Sequence, residues 1–262
     1  YYYRRTQVPC QYFFPKKEDF FYNSIARSLD SSNDQIKALW AMIHKSPIII
    51  TTAEACLDKL VTKDNFDLNS FIIEFSDIIE IGELSKRLIK SGYENVPTVE
   101  GKGQFSVRGG IIDIFPPISE NPYRIELFGD EIDSIRIFDP ISQRSIENVE
   151  YVEVSPAIQN VLDGEDRNRV IESLEKELNE TKIKDSEILR KLNEKFGNLI
   201  GKLKDKLYVK NTDLLIPYIN ENNLNSLLDY IDTETLVFVD EPRRIEEGIA
   251  EKYKDFKTRF AD

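Results

Sequence analysis

The amino-acid sequence predicts an α/β fold in which a small antiparallel sheet with one helix against it interrupts an outer α/β unit. Three observations carry that reading. Strand-like apolar runs alternate with helical periodicity near both ends of the chain. Between about 98 and 154 the pattern changes to short β runs separated by Gly, Pro, Asn and Asp. From about 163 to 207 it changes again, to charged stretches with apolar residues at helical spacing.

The first strand is the aromatic run Tyr12-Phe13-Phe14-Pro15. Between Ser32 and Lys45, Ile36, Leu39, Trp40 and Ile43 recur at helical spacing, with N-cap candidates in 30–33, which predicts a helix packing one apolar face. Pro47 to Thr51 reads as a short buried strand, and Thr52 as the cap of a helix through Leu60. Phe71 to Phe75 gives a strand, and Gly82 to Ser91 a helix with Gly92 as its C-cap. The β runs that follow are Thr98 to Val107, Gly110 to Phe115, Tyr123 to Phe128, Ile132 to Phe138 and Val149 to Val154. Alternation in Tyr123-Arg124-Ile125-Glu126-Leu127 sends Arg124 and Glu126 to one face and Ile125 to the other. Val170, Leu174 and Leu178, then Ile188, Leu192 and Phe196, predict two long amphipathic helices whose charged outer faces are solvated. The chain closes with Leu224 to Tyr230 as a helix, Thr235 to Val239 as a buried strand, and a helix begun by Pro242.

Composition narrows the function. The chain has 262 residues, 40% of them hydrophobic, enough to bury a core in one or two domains. No apolar run approaches a membrane span and no leader opens the chain, so a cytoplasmic location is expected. The opening Tyr1-Tyr-Tyr-Arg-Arg lacks an initiator methionine, as a piece of a longer protein would. A net charge of -12 disfavours independent binding to nucleic acid, which relies on Lys and Arg against phosphates. Cys10 and Cys56 are too few for a disulfide framework or a four-ligand zinc site and read as buried thiols. The single histidine, His44, sits at a helix end, and one histidine removes most hydrolase triads.

Three segments invite chemistry. Leu236-Val-Phe-Val-Asp240-Glu241 has the form of an apolar strand ending in the acidic pair of P-loop ATPases, but no Gly-x-x-x-x-Gly-Lys-Ser/Thr loop accompanies it. An ATPase-like fold without nucleotide chemistry is the expectation. The glycines in Gly101-Lys-Gly-Gln-Phe-Ser-Val-Arg-Gly109-Gly110 lie between β runs with no helix following, which suits a bulge or tight bend and not a dinucleotide site. Asp130, Glu131 and Asp133 read as a polar turn, and no metal site is expected.

The segment Gly103-Gln-Phe-Ser-Val-Arg-Gly-Gly-Ile-Ile-Asp-Ile-Phe-Pro-Pro117, with Pro122-Tyr-Arg-Ile-Glu-Leu-Phe-Gly-Asp-Glu-Ile-Asp-Ser-Ile-Arg136, closely resembles the domain shared by UvrB and the transcription-repair coupling factors. Phe138-Asp-Pro-Ile-Ser-Gln-Arg-Ser145, Asp240-Glu241-Pro242-Arg243 and Phe14-Pro-Lys-Lys-Glu-Asp-Phe-Phe-Tyr22 are similar to the coupling-factor versions. The resemblance implies a docking surface for UvrA, with Arg108, Arg124 and Phe128 at partner-binding positions and Arg136 and Arg144 as weaker additions. Arginine's planar fork suits carboxylates, and an exposed aromatic can anchor an interface. The competing reading pairs one or more of those arginines internally with Glu126, Asp130 or Asp133 and places Phe128 in the core.

The expected architecture is therefore a degenerate ATPase-like α/β domain, residues 1–67 and 156–262, split by an inserted small α+β antiparallel-sheet domain, 68–155. The expected function is non-catalytic: recruitment of UvrA to a stalled RNA polymerase. ATP, magnesium, polymerase and DNA would be handled by domains outside these residues, and another domain of the whole protein would cover the docking surface. The alternatives are a fragment of a UvrB-like ATP-dependent enzyme, or an acidic structural module with Arg108 and Arg124 in internal pairs.

Overall fold

A computed structural model describes residues 11–16, 29–45, 47–162, 164–183, 185–205, 209 and 212–259. Strand β1 (Gln11–Phe14) pairs in parallel with β2 (Ile48–Thr51), joined through α1 (Leu29–His44). The α1 periodicity does what the sequence predicts: Ile36, Leu39 and Trp40 are buried, and His44 at its end lies 3.3 Å from Asp67. β2 departs from expectation, since Ile48 and Ile50 are exposed. Its sheet has two strands, and no described element covers that face.

The helix expected from Thr52 to Leu60 shortens to a 3-10 turn, Ala55–Leu57. Thr52 still caps it, its Oγ1 accepting from the Ala55 N–H at 3.2 Å, but Leu60 and Val61 are drawn into strand β3 (Leu60–Val61). Cys56 is half-buried rather than buried, and burial pushes its thiol pKa up. Cys10 lies outside the described residues. Helix α2 (Lys63–Leu68) follows, with Thr62 accepting from the Asn65 N–H.

The middle segment is closed by its own ends: β4 (Phe71–Glu74) pairs antiparallel with β11 (Tyr151–Val154). Helix α3 (Ile81–Lys90) is followed by Gly92, whose φ of +88° suits glycine and where a Cβ would collide with the Ile158 side chain. A six-stranded sheet then runs β5 (Glu94–Asn95), β6 (Gln104–Arg108), β7 (Ile111–Phe115), β8 (Tyr123–Phe128), β9 (Glu131–Phe138), β10 (Ser145–Asn148), neighbours in that order. All pairs are antiparallel except β5 with β6. The strand expected from Thr98 begins only at Gln104, because the Gln104 Oε1 accepts from the Glu100 and Gly101 N–H groups and folds that stretch into a turn. One face of the sheet carries Phe105, Ile112, Ile114, Ile125 and Ile135 onto Leu84 and Leu88 of α3, the main core of this segment.

Helices α4 (Gly164–Glu180) and α5 (Ser186–Lys204) form the expected amphipathic pair, burying Val170, Leu174, Ile200 and Leu203. Leu224 to Tyr230 is not the expected helix. Leu224 and Asn225 form β12 (Leu224–Asn225) against β3, and a 3-10 turn over Leu227–Tyr230 follows, started by the Ser226–Asp229 capping box. Tyr230 donates its hydroxyl to the Val61 carbonyl at 2.8 Å, and Leu227 and Tyr230 share one core with Phe14, Leu39, Leu60 and Phe66. Residues before and after the middle segment thus pack together. The largest departure is Thr235 to Val239, which pairs with no described strand: Leu236 is 80% and Phe238 89% exposed. Helix α6 (Pro242–Arg259) begins at Pro242 as predicted. No helix among the described residues is long and apolar enough to cross a membrane.

Candidate functional site

The face of the six-stranded sheet opposite α3 carries the polar residues. Register places Ser106, Asp113, Arg124 and Arg136 in one row across β6 to β9, and Arg108, Ile111, Glu126 and Ser134 in the next. Arg124 and Arg136 stand directly opposite each other, a like-charge arrangement that opposes pairing unless neutralised. Carboxylates on the same face supply that. Asp113, 1% exposed, accepts from Arg124 Nε at 2.7 Å and Nη2 at 2.9 Å and also pairs with Arg108. Glu126 takes Arg136. Three arginines therefore meet two carboxylates, leaving one positive charge on the face.

The arginines differ in access. Arg124 is 17% exposed at its side chain, forks onto Asp113, reaches the Gln143 carbonyl at 3.4 Å and its Oε1 at 3.3 Å, and stacks 4.5 Å from the Phe138 ring centroid. Its bonds to the Asp113 carboxylate raise its pKa, so its charge is secure. Arg108 is 46% exposed and shares only part of Asp113. Arg136 is 34% exposed beside Glu126, and Arg144 is exposed on the turn before β10. Arg108 and Arg124 are thus paired internally, as the competing reading expects, though with Asp113 and not with Glu126, Asp130 or Asp133. Glu126 serves Arg136.

This face has two halves. Over one half, Val99 and Val96 pack with Phe115 and Phe138, and the Gln143 side chain donates to the Val99 and Pro140 carbonyls, so Arg124 lies partly beneath a lid of backbone. The other half is open. There the Gly109-Gly110 turn and the β8–β9 turn at Gly129-Asp130 lie side by side, with the Leu127 N–H donating to the Gly110 carbonyl at 2.8 Å. Phe128, on the same strand alternation as Arg124 and Glu126, is 84% exposed at that end, not part of the core. Ile141, 93% exposed, lies at the opposite end of β9, on the turn before β10 that carries Gln143. Asp130, Glu131 and Asp133 occupy the expected turn and a bulged strand start, and no group of three metal-ligating side chains occurs among the described residues.

Asp113 and Gln143 are the residues that sequence reasoning missed. Asp113 stood in plain view as the one charge inside Ile111-Ile-Asp-Ile-Phe115, and a carboxylate inside an apolar strand calls for an arginine partner. Gln143 carries no such signal; it takes a positive φ of 59°, and its side chain reaches the Val99 and Pro140 carbonyls.

Residues 71–159 match the family described as "UvrB interaction domain". The chain is 36% identical over 229 residues to the transcription-repair-coupling factor of Bacillus subtilis, covering 83% of this chain and 19% of that protein. It is 36% identical over 127 residues to the transcription-repair-coupling factor of Myxococcus xanthus, 48% of this chain and 10% of that one. UvrABC system protein B of Thermotoga maritima is 26% identical over 216 residues, 79% of this chain and 32% of that protein. The two resemblances read from the sequence, to UvrB and to the coupling factors, are upheld, and the chain spans a minor share of the length of each relative.

Proposed function

From a chain that carries a UvrB interaction domain in a sequence similar to transcription-repair-coupling factors, we propose a non-catalytic region that recruits UvrA and so links a stalled RNA polymerase to nucleotide excision repair. Residues 1–67 and 156–262 form the split ATPase-like unit that presents the inserted domain. Polymerase and DNA contacts, ATP and magnesium belong to other parts of a longer protein, one domain of which covers the docking face until it is needed.

One observation carries the reading: one face of the sheet carries a half-exposed guanidinium, Arg108 on β6, and an 84% exposed phenyl ring, Phe128 on β8. A cation that a partner carboxylate can reach, beside an aromatic anchor, is the composition of an interface hot spot. Arg124 supports this surface from beneath through Asp113, and Arg136 and Arg144 extend its positive edge.

Calorimetric titration of UvrA onto the chain at two salt concentrations tests the proposal, with Arg108→Ala and Phe128→Ala alongside. Binding that weakens with salt and loses about 2 kcal/mol in each variant is expected. A folded wild-type chain that binds no UvrA overturns it.

A further inference from the structure

Away from the docking face, the junction between α1 and the inserted sheet holds two lysines against each other. Lys37 of α1 and Lys102 of the turn before β6 are neighbours whose charges act on each other; Lys37 Nζ lies 3.2 Å from Glu120 Oε1, and Lys102 Nζ donates to the Pro117 carbonyl at 3.2 Å. Two neighbouring ammonium groups repel, and the carboxylate paired with Lys37 is a poor neutraliser, since the Glu120 side chain is 85% exposed. Burial, then the charge of Lys37, pulls the Lys102 pKa down to about 8. An incoming dianion would relieve that repulsion.

A cavity of about 150 Å³ opens at the same junction, lined by Lys37, Lys45, Trp40, Tyr123, Ser119 and Glu153. That volume is about the size needed for a single six-membered ring. Tyr12, Trp40 and Tyr123 bring three aromatic rings to its lining, and Lys45 Nζ, 4.5 Å from the Trp40 ring centroid, adds a third cation. Glu153 is the one acid lining it, which repels a dianion from the interior and assigns the charged end of a ligand to the lysine pair. We propose that this junction binds a small phosphate monoester bearing one flat ring, its phosphoryl group replacing the Glu120 carboxylate between Lys37 and Lys102 and its ring lying beside Trp40 and Tyr123.

Trp40 is the sole tryptophan of the chain, so its fluorescence reports directly on the cavity. Phenyl phosphate is the probe, with inorganic phosphate and phenol as comparisons. A saturable response to phenyl phosphate, stronger than to either comparison, is expected. The Lys37→Gln, Lys102→Gln double variant should weaken it at least tenfold. Glu120→Gln, at an exposed side chain where folding is not at stake, should tighten it about threefold by removing the competing carboxylate. No saturable response, an equal response to phenol, or a Glu120→Gln variant that binds no tighter overturns the proposal.

Discussion

Asp113 accepts from both Arg108 and Arg124, so the two arginines singled out in the sequence have different physical roles. Removing the carboxylate would leave Arg124, 17% exposed, as an unpaired charge beside the Phe138 ring. Asp113→Asn should therefore destabilise the chain by about 3 kcal/mol in urea denaturation. Arg108→Ala removes a half-exposed partner and should cost less than about 1 kcal/mol, as exposed ion pairs do. Arg108→Ala is for that reason the cleaner probe of partner binding, while Arg124→Ala mixes lost affinity with lost stability. Alternation along β8 was enough to put Arg124 and Glu126 on one face, and the structure agrees. Their partners were not legible, because a partner across strands depends on register, and register is a property of two strands and the turn between them.

At the scale of the element, the sheet was legible wherever turn chemistry and alternation agreed. Gly109-Gly110 joins β6 and β7 so tightly that Arg108 and Ile111 are paired. Gly109 takes a φ of +62°, and a Cβ on Gly110 would sit 3.0 Å from the Leu127 carbonyl oxygen. Gly109→Ala should cost about 1 kcal/mol for the left-handed backbone alone, measured as a shift in the urea midpoint with unchanged slope. Thr235 to Val239 shows the opposite case. Its apolar, β-branched composition reads as a buried strand, yet burial needs a neighbour, and among the described residues no strand offers it an edge. Phe238→Ala should accordingly change the stability of this chain by no more than about 0.5 kcal/mol, where a core phenylalanine would cost several. Leu224 to Tyr230 departs from the predicted helix for a related reason. Pairing of β12 with β3 joins residues more than 160 apart in sequence, a contact that local periodicity cannot announce.

At the scale of the whole molecule, the middle segment and its flanks hold different apolar cores; Ile118 of the middle segment packs against the flank core, and the Lys37, Lys102, Glu120 cluster adds polar contacts at the junction. That cluster gives the chain a pH dependence whose sign can be worked out. Lys102 titrates at about 8 in the folded chain against 10.5 for an unperturbed lysine, lowered by burial first and then by Lys37, with Glu120 and Asp34 opposing. Between those two values the unfolded chain holds a proton that the folded chain has lost, so this group's contribution to stability rises with pH across the window and is smallest below it. Lys37 behaves differently. Burial lowers its pKa, but its bonds to Lys102 and Glu120 raise it further, so its contribution is present below 10.5 and lost only above its own, higher value. The two windows do not overlap. Urea midpoints of the wild type and of Lys102→Met, compared from pH 7.5 to 10, should show the variant's relative advantage shrinking as pH rises, with tyrosine and thiol titrations cancelling in the difference. A gap that stays constant across that range would mean that Lys102 keeps an ordinary pKa and that the lysine pair is not under strain.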